Sequence, residues 1–244
     1  MLSPCKSESS NLSMNYYMGN MEDICEAILK KEISGFKFIV TPNINHIVKL
    51  AEDTDLSKSY AEAEYILLDS KVLKVILDYK GIKHGEVIPG SSLTERLFQQ
   101  EELENFRVCV VGLENSDFDK LKEKYKTFNM FHVYPPFGFE QRSEIYNKVL
   151  SQIESIEPDI IFLAVGCPKQ EKLALDLKRR NKISGIALCI GASLDFLIGK
   201  QVRAPRLFQV LYLEWLFRML SNPKRLLSRY INDFIKLIRI LKNG

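Results

Sequence analysis

Asp69 closes a short apolar run, Tyr65 to Leu68. At such a strand end a carboxylate can accept a proton from an attacking hydroxyl. The same aspartate, followed by Ser70, also reads as a cap for the helix that continues through Tyr79, and the two roles are compatible. A second polar stretch, Thr41-Pro42-Asn43-Ile44-Asn45-His46, follows an earlier apolar strand. Thr41 and Asn43 can hydrogen-bond sugar hydroxyls or a uracil edge, or cap the next helix. His46 lies inside that helix and reads as a packed or surface residue rather than a catalyst. Further on, Gly166-Cys167-Pro168-Lys169-Gln170-Glu171 opens a helix directly after a strand. Main-chain N–H groups there, with the Lys169 ammonium, make an anion site; Gln170 can orient a sugar or serve as an ordinary first-turn residue. The loop from Gly191 to Lys200, which contains Asp195, is a second Gly-marked polar connection after a strand. Such loops read as a ligand cleft in an open α/β sheet.

The C-terminal stretch has a different texture. From Lys200 to Gly244 there are ten basic residues and two acidic ones, a charge of +8 within a chain whose net charge is +3. The remainder is therefore mildly acidic, and the tail is expected to meet an anionic partner. Arg218 and Arg225 flank a break at Asn222-Pro223, and Arg229 follows one turn later. Guanidinium forks suit diphosphate oxygens, and the interleaved Leu, Phe, Trp and Tyr suit acyl chains or the body of the protein. A charged, lipid-linked substrate would use both.

Other chemistries find little support. Asp53-Thr54-Asp55 looks like a metal-binding Asp-x-Asp pair, yet it lies in a polar connection and reads as a solvated turn. No His, Cys and carboxylate run has metal-ligand spacing. Gly112-Leu113-Glu114 is not a dinucleotide fingerprint. The basic tail is too apolar for a nucleic-acid arm, and no nucleic-acid module is recognisable. Five scattered cysteines (Cys5, Cys25, Cys109, Cys167 and Cys189) fit a reducing cytoplasm. No run reaches about 18 uncharged apolar residues, as a membrane span requires.

The elements that must position these residues alternate strand and helix, the pattern of a mostly parallel sheet covered by helices. Strands are expected at Phe36–Thr41, Tyr65–Leu68, Arg107–Val111, Met130–Tyr134, Asp159–Val165 and Ile186–Ile190. Helices are expected at Met21–Lys31, Ile44–Ala51, Ser57–Ala63, Val72–Tyr79, Ser91–Gln100, Asp117–Tyr125, Glu140–Ile156 and Gln170–Arg180. Two more, Leu207–Leu220 and Lys224–Leu241, form the tail. The fold class is thus α/β, with a disordered segment over 1–15, a Rossmann-like core over 16–200 and a helical appendage over 201–244.

These residues, in this order, resemble the WecG/TagA/CpsF glycosyltransferases. The resemblance runs from about Met18 to Tyr230 and is strongest in Gly166-Cys167-Pro168-Lys169-Gln170-Glu171-Lys172 and in Asp195-Phe196-Leu197-Ile198-Gly199-Lys200 with Arg203-Ala204-Pro205. It continues through Leu213-Glu214-Trp215-Leu216-Phe217-Arg218 and Pro223-Lys224-Arg225-Leu226. The resemblance implies an inverting transferase at the inner face of the cell membrane. It would move a sugar, N-acetylmannosamine or a related hexose or uronic acid, from a UDP-sugar to a polyprenyl-diphosphate-linked saccharide. The products would be cell-surface polysaccharides such as capsule, exopolysaccharide or teichoic acid. No metal or cofactor is implied, and a homo-oligomer is left open. Asp69 stands at the position of the family's proposed base, Thr41, Asn43 and Gln170 at pocket positions, and Arg218 and Arg225 at phosphate-holding arginines. Arg229 stands beside a third such position, occupied by Ser228. Lys169 and Asp195 fall in the best-matched blocks and join the expected substrate-binding set. Leu68-Asp69-Ser70 departs from the family's Pro-Asp-Gly. A non-catalytic protein that binds a nucleotide sugar with the same fold is the alternative.

Overall fold

A computed structural model describes residues 12–30, 34–205, 208 and 213–243. Its centre is one six-stranded sheet: β1 (Phe36–Val40), β2 (Tyr65–Ile66), β3 (Val108–Gly112), β4 (Met130–Val133), β5 (Ile160–Ala164) and β6 (Gly185–Cys189). The spatial order is β2-β1-β6-β5-β3-β4, and every pairing is parallel. Parallel strands need crossovers, so helices lie on both faces and the strands are apolar on both sides. Along β5, Ile161 and Leu163 enter one core while Ile160 and Phe162 enter the other. Ala187 and Cys189 of β6 likewise oppose Ile186 and Leu188. The strict two-residue alternation of strand side chains produces this split.

One face is covered by α2 (Ile44–Leu50), α3 (Thr54–Glu62), α4 (Lys71–Tyr79), α7 (Ser143–Ile156) and α8 (Lys169–Arg180). The other is covered by α1 (Met21–Ile28), α5 (Gly90–Phe98), α6 (Asn115–Lys124) and α9 (Leu194–Leu197). From β3 the chain proceeds outward to β4, whereas from β5 it turns the opposite way to β6. The C-terminal ends of β3 and β5 therefore form the switch point where a crevice opens. Gly112 marks it, with φ at +107°; a Cβ there would lie 2.9 Å from the Ala164 carbonyl oxygen. Only glycine allows that approach without strain.

The fold class and element order match the sequence reading, with local corrections. Asp53 stands in the polar connection between helices and caps α3, its side chain accepting from the N–H groups of Asp55 and Leu56, both at 3.0 Å, so the helix begins at Thr54 and not at Ser57. The expected helix from Glu140 is broken, because a 3₁₀ turn at Phe139–Gln141 precedes α7. Ser70, not Asp69, caps α4, its hydroxyl accepting from Leu73 N–H at 3.2 Å. Residues 1–11, part of the N-terminal segment expected to be disordered, lie outside the described residues. Leu12 at its end is buried and packs in the core. Much of the expected 207–220 helix also lies outside them; what is described is α10 (Glu214–Ser221), followed by α11 (Pro223–Asn243).

The C-terminal arm is docked on the body. Leu226 and Leu237 of α11 are buried, and Leu241 packs against the core. Both carboxylate oxygens of the buried Asp233 accept from Asn45 Nδ2 on α2, at 3.1 and 3.0 Å, and Lys236 pairs with Glu52 at 2.7 Å. Asp233→Ala leaves that amide without its acceptor, at a cost of about 1 kcal/mol. The variant should show faster amide hydrogen exchange along α11 with the sheet unchanged; equal protection would mean that apolar packing alone holds the arm.

Candidate active site

The Asp69 carboxylate is held at the end of the β1–β2 pair by two other elements. Its Oδ1 accepts from the N–H of Gly90, the first residue of α5, at 2.8 Å. Its Oδ2 accepts from Asn43 Nδ2, at the start of α2, at 3.3 Å. Asp69 thus does act as a cap, but for α5, whose own N-cap, Pro89, offers no side-chain acceptor. The partial positive charge of that helix end favours the ionised carboxylate. Gly90 is needed for closeness: an added Cβ would meet Thr41 Oγ1 at 3.0 Å and Ser193 Oγ at 3.5 Å. Thr41 is buried and donates to the Cys189 carbonyl at 3.1 Å, joining the ends of β1 and β6. Asp69 and Asn43 are half-buried, so they remain open to solvent on one side.

Asn43 is orientated from behind. Its Oδ1 accepts from Asn45 N–H at 3.1 Å and lies 2.9 Å from His46 Nδ1. The Asn43 main-chain N–H donates to the same Nδ1 at 3.3 Å, so His46 and Asn43 close a capping box at the start of α2. Burial, then the charges of Lys49 and Arg229, push the imidazole down to about 3, so it is neutral. Beyond His46 lies Glu171, fully buried, its Oε1 3.7 Å from His46 Nε2. Burial raises the Glu171 carboxyl above the ordinary range. Gln170, 2 % exposed, donates from Nε2 to Glu171 Oε1 at 2.9 Å and accepts from Gly191 N–H at 2.9 Å. Its amide ties the loops after β5 and β6. Among the described residues, His46, Cys167 and Glu171 form a group able to hold a metal, with donor atoms within 4.8 Å. The Lys49 ammonium, hydrogen-bonded to the Cys167 carbonyl at 2.7 Å, sets a positive charge against such an ion.

On the other side of the Gly191 loop is a cleft of about 420 Å³, over the C-terminal ends of β3 to β6. Gly112, Gly166 and Gly191 form its floor, while Lys169, Asp195, Lys200, Tyr134 and Phe137 contribute walls. Lys169 pairs with Glu140 at 3.1 Å and stands 5.8 Å above the ring of Phe137, which is 97 % exposed. Asp195 accepts from Gln201 Nε2 at 2.9 Å, and Lys200 pairs with Asp117 at 2.6 Å. Asp69, Thr41 and Asn43 do not line this cleft; the turn at Gly191–Ser193, which helps to line it, also lies against Gly90 beside Asp69. The expected site residues thus fall into two neighbouring groups.

Arg229 is exposed on α11, close enough to His46 for its charge to be felt there. Arg218 lies on α10 and Arg225 on α11, but their side chains fall outside the described residues. The arm packs along α2, whose N-cap is the Asn43 that touches Asp69. Sequence reasoning missed Gly90, Ser193, Glu140, Lys200 and the buried role of Glu171. For Gly90 the signal was present, a Pro-Gly step opening a helix; for Glu171 nothing in one sequence marks a buried acid.

The crevice at the strand ends, the strand-end carboxylate and the docked basic arm define a class of α/β transferase that has a helical appendage. A match to the glycosyl transferase WecG/TagA/CpsF family spans residues 8–244, and the chain belongs to that family. Similar proteins include the N-acetylglucosaminyldiphosphoundecaprenol N-acetyl-β-D-mannosaminyltransferases of Staphylococcus aureus strains MRSA252, MW2 and NCTC 8325. Each is 27 % identical over 195 residues, covering 78 % of this chain and 74 % of the relative.

The neutral His46 makes stability depend on pH. Between its ordinary 6.5 and about 3 the unfolded chain binds a proton that the folded one does not. Stability from this group is therefore full above about 6.5 and lost as pH falls towards 3. His46→Gln should flatten the decline of the urea midpoint between roughly pH 6.5 and 4.5 relative to the parent. Parallel declines would show that the imidazole is solvated and titrates normally.

Proposed function

We propose that the protein transfers N-acetylmannosamine or a related sugar from a UDP-sugar to a polyprenyl-diphosphate-linked saccharide, with inversion, in the assembly of a cell-surface polymer. The observation that carries the reading is the fixed Asp69 carboxylate, beside the cleft and beneath the arm. The names of the Staphylococcus aureus relatives supply the sugar and the class of acceptor.

In this reading the UDP diphosphate enters the cleft, near Lys169, Lys200 and the N-terminus of α8, and Asp195 meets the nucleotide. The acceptor hydroxyl comes from the Asp69 side. Asp69 takes its proton as the hydroxyl oxygen bonds to the anomeric carbon. The bond from that carbon to the diphosphate oxygen breaks on the opposite face, and UDP leaves with the electron pair. Thr41, Asn43 and Gln170 keep the surroundings of Asp69 in place. Arg229, with Arg218 and Arg225 on the arm, neutralises diphosphate, where paired guanidinium donors are strong. Charge stabilisation comes from these cations and helix ends, so turnover should persist in EDTA.

General-base help typically supplies about 10²- to 10⁴-fold in rate. Asp69→Asn keeps an acceptor for Gly90 N–H and should lose turnover by that factor while binding UDP as the parent does. A fully active variant would remove Asp69 as base. The tight capping of α5 by Asp69 also fits the alternative, a protein that binds a nucleotide sugar without turning it over. Tight UDP-sugar binding by the parent, with no UDP release across a panel of donors and acceptors, would establish that alternative.

The arm also supports an anionic membrane surface as partner. Leu227, Ile231, Phe234 and Ile238 form one exposed apolar stripe on α11, on the side away from Leu226, Asp233 and Leu237. Lys224, Arg239 and Lys242 are exposed on the same helix, the make-up of a helix lying in a bilayer interface. Among the described residues no helix is long and apolar enough to cross a membrane. Ile231→Ser with Phe234→Ser removes two insertable side chains, each worth about 1.5–3 kcal/mol when fully buried. Binding to phosphatidylglycerol vesicles should weaken at least tenfold without loss of fold, and parent binding should fall with added salt. Undiminished binding by the double variant would place the contact elsewhere.

A further inference from the structure

Glu171 is fully buried, and its Oε2 has no hydrogen-bond partner. Buried carboxyl groups are normally satisfied at both oxygens, so a residue left in this state has a reason to be there. Its other oxygen stands between the two groups of site residues. In one direction Glu171 Oε1 accepts from Gln170 Nε2, which turns the Gln170 carbonyl towards the Gly191 N–H on the cleft floor. Without that acceptor the Gln170 amide could rotate and release Gly191. In the other direction Glu171 Oε1 faces His46 Nε2 at 3.7 Å, too far for a hydrogen bond but in contact with the ring edge. That contact confines the ring so that Nδ1 accepts from the Asn43 main-chain N–H at 3.3 Å. With its main chain held by His46 and its side-chain oxygen taken by Asn45 N–H, Asn43 offers its NH₂ group to Asp69. Each amide orientation in the series follows from the one before it.

We propose that Glu171 is a positioning residue which, through Gln170 and His46, sets the Gly191 wall of the cleft and the approach of Asn43 to Asp69 together. Glu171 is sealed from substrate and takes no part in proton transfer. The proposal rests on the reading of Asp69 as base, and it extends that reading from one side chain to the frame that couples base and nucleotide cleft.

The test compares Glu171→Met, which keeps length but removes the acceptor, with Glu171→Gln, which restores an acceptor for Gln170. His46→Leu and His46→Asn form a second pair, the asparagine side-chain oxygen replacing the Nδ1 acceptor for the Asn43 N–H. Turnover is measured with UDP-N-acetylmannosamine and a short-chain lipid diphosphate N-acetylglucosamine. In parallel, the amide resonances of Gly191 and Gly90 are recorded on 15N-labelled protein. Glu171→Met and His46→Leu should lower kcat on the order of 10- to 100-fold, as small misplacements of reacting groups do. The donor KM should change less than about threefold, since the cleft cations are untouched. Glu171→Gln and His46→Asn should recover most of the loss. The Gly90 amide, which is linked to Glu171 through Asp69, Asn43 and His46 and also neighbours Ser193 of the Gly191 turn, should shift in the disruptive variants and return in the conservative ones.

Parent-like kcat in folded Glu171→Met, with an active parent, would overturn the positioning role and leave the transferase reading standing. Conservative variants as impaired as the disruptive ones would also overturn it. If the parent makes no product with these substrates, the transferase reading fails for this pair and the resonances decide alone: a Gly90 amide that stays put in Glu171→Met sinks the proposal. Should Glu171→Met not fold, the His46 pair carries the same comparison.

Discussion

The 2.8 Å hydrogen bond from the Gly90 N–H to Asp69 Oδ1 constrains more of the site than any other contact. It closes the loop between β2 and α5 across the end of β1, at a residue where an added Cβ would crowd Thr41 Oγ1 at 3.0 Å. With that bond made, α5 starts against Thr41, and Ser193 fills the remaining space beside it. The ends of β1, β2 and β6 then meet at one point although they come from distant parts of the chain. A carboxylate could satisfy a helix end anywhere on a surface. Here it does so beside a switch-point crevice, where the sheet topology already leaves an opening. The same donors that fix its direction leave it half-buried.

The sheet was legible because parallel strands buried on both faces write continuous apolar runs, as in Ile160 to Ala164 and Gly185 to Cys189. The helices were legible from their spacing and from caps such as Asn43 and Ser70. Boundaries failed where capping was decided by tertiary contact. Asp69 carries the chemistry of a local cap, but its carboxylate turns to a helix twenty-one residues away, and the local duty falls to Ser70. Gln170 was left open between a sugar-orienting amide and an ordinary first-turn residue, and only the depth of α8 against β6 shows the internal hydrogen bonds at both ends of its amide. The division into two groups could not be read either, because it depends on where the Gly191–Ser193 turn sits in space.

The arm serves two environments with one helix. Leu226, Asp233 and Leu237 point to the body, while Leu227, Ile231, Phe234 and Ile238 point outward. From the sequence these merge into a single apolar texture with basic interruptions. The buried Asp233 separates them: an acid in a basic helix belongs on the side that faces a donor, and Asn45 is that donor. Docking on α2 then puts the arm beside Asn43, so a lipid-borne diphosphate held by its arginines would be delivered at Asp69.

The cations of the cleft are not bare. Lys169 is paired with Glu140 and Lys200 with Asp117, whose hydrogen bond holds the lysine above its ordinary range. In the proposed reading, a nucleotide diphosphate would compete with a carboxylate for each, which lowers the gain from any single charge. Such pairing has a second effect: it holds flexible ammonium groups in position before ligand arrives, so less side-chain entropy is lost on binding. Arg229 on the arm is exposed by comparison. In the proposed reading, a guanidinium so placed would follow a lipid-linked diphosphate, whereas the tethered lysines would meet the nucleotide.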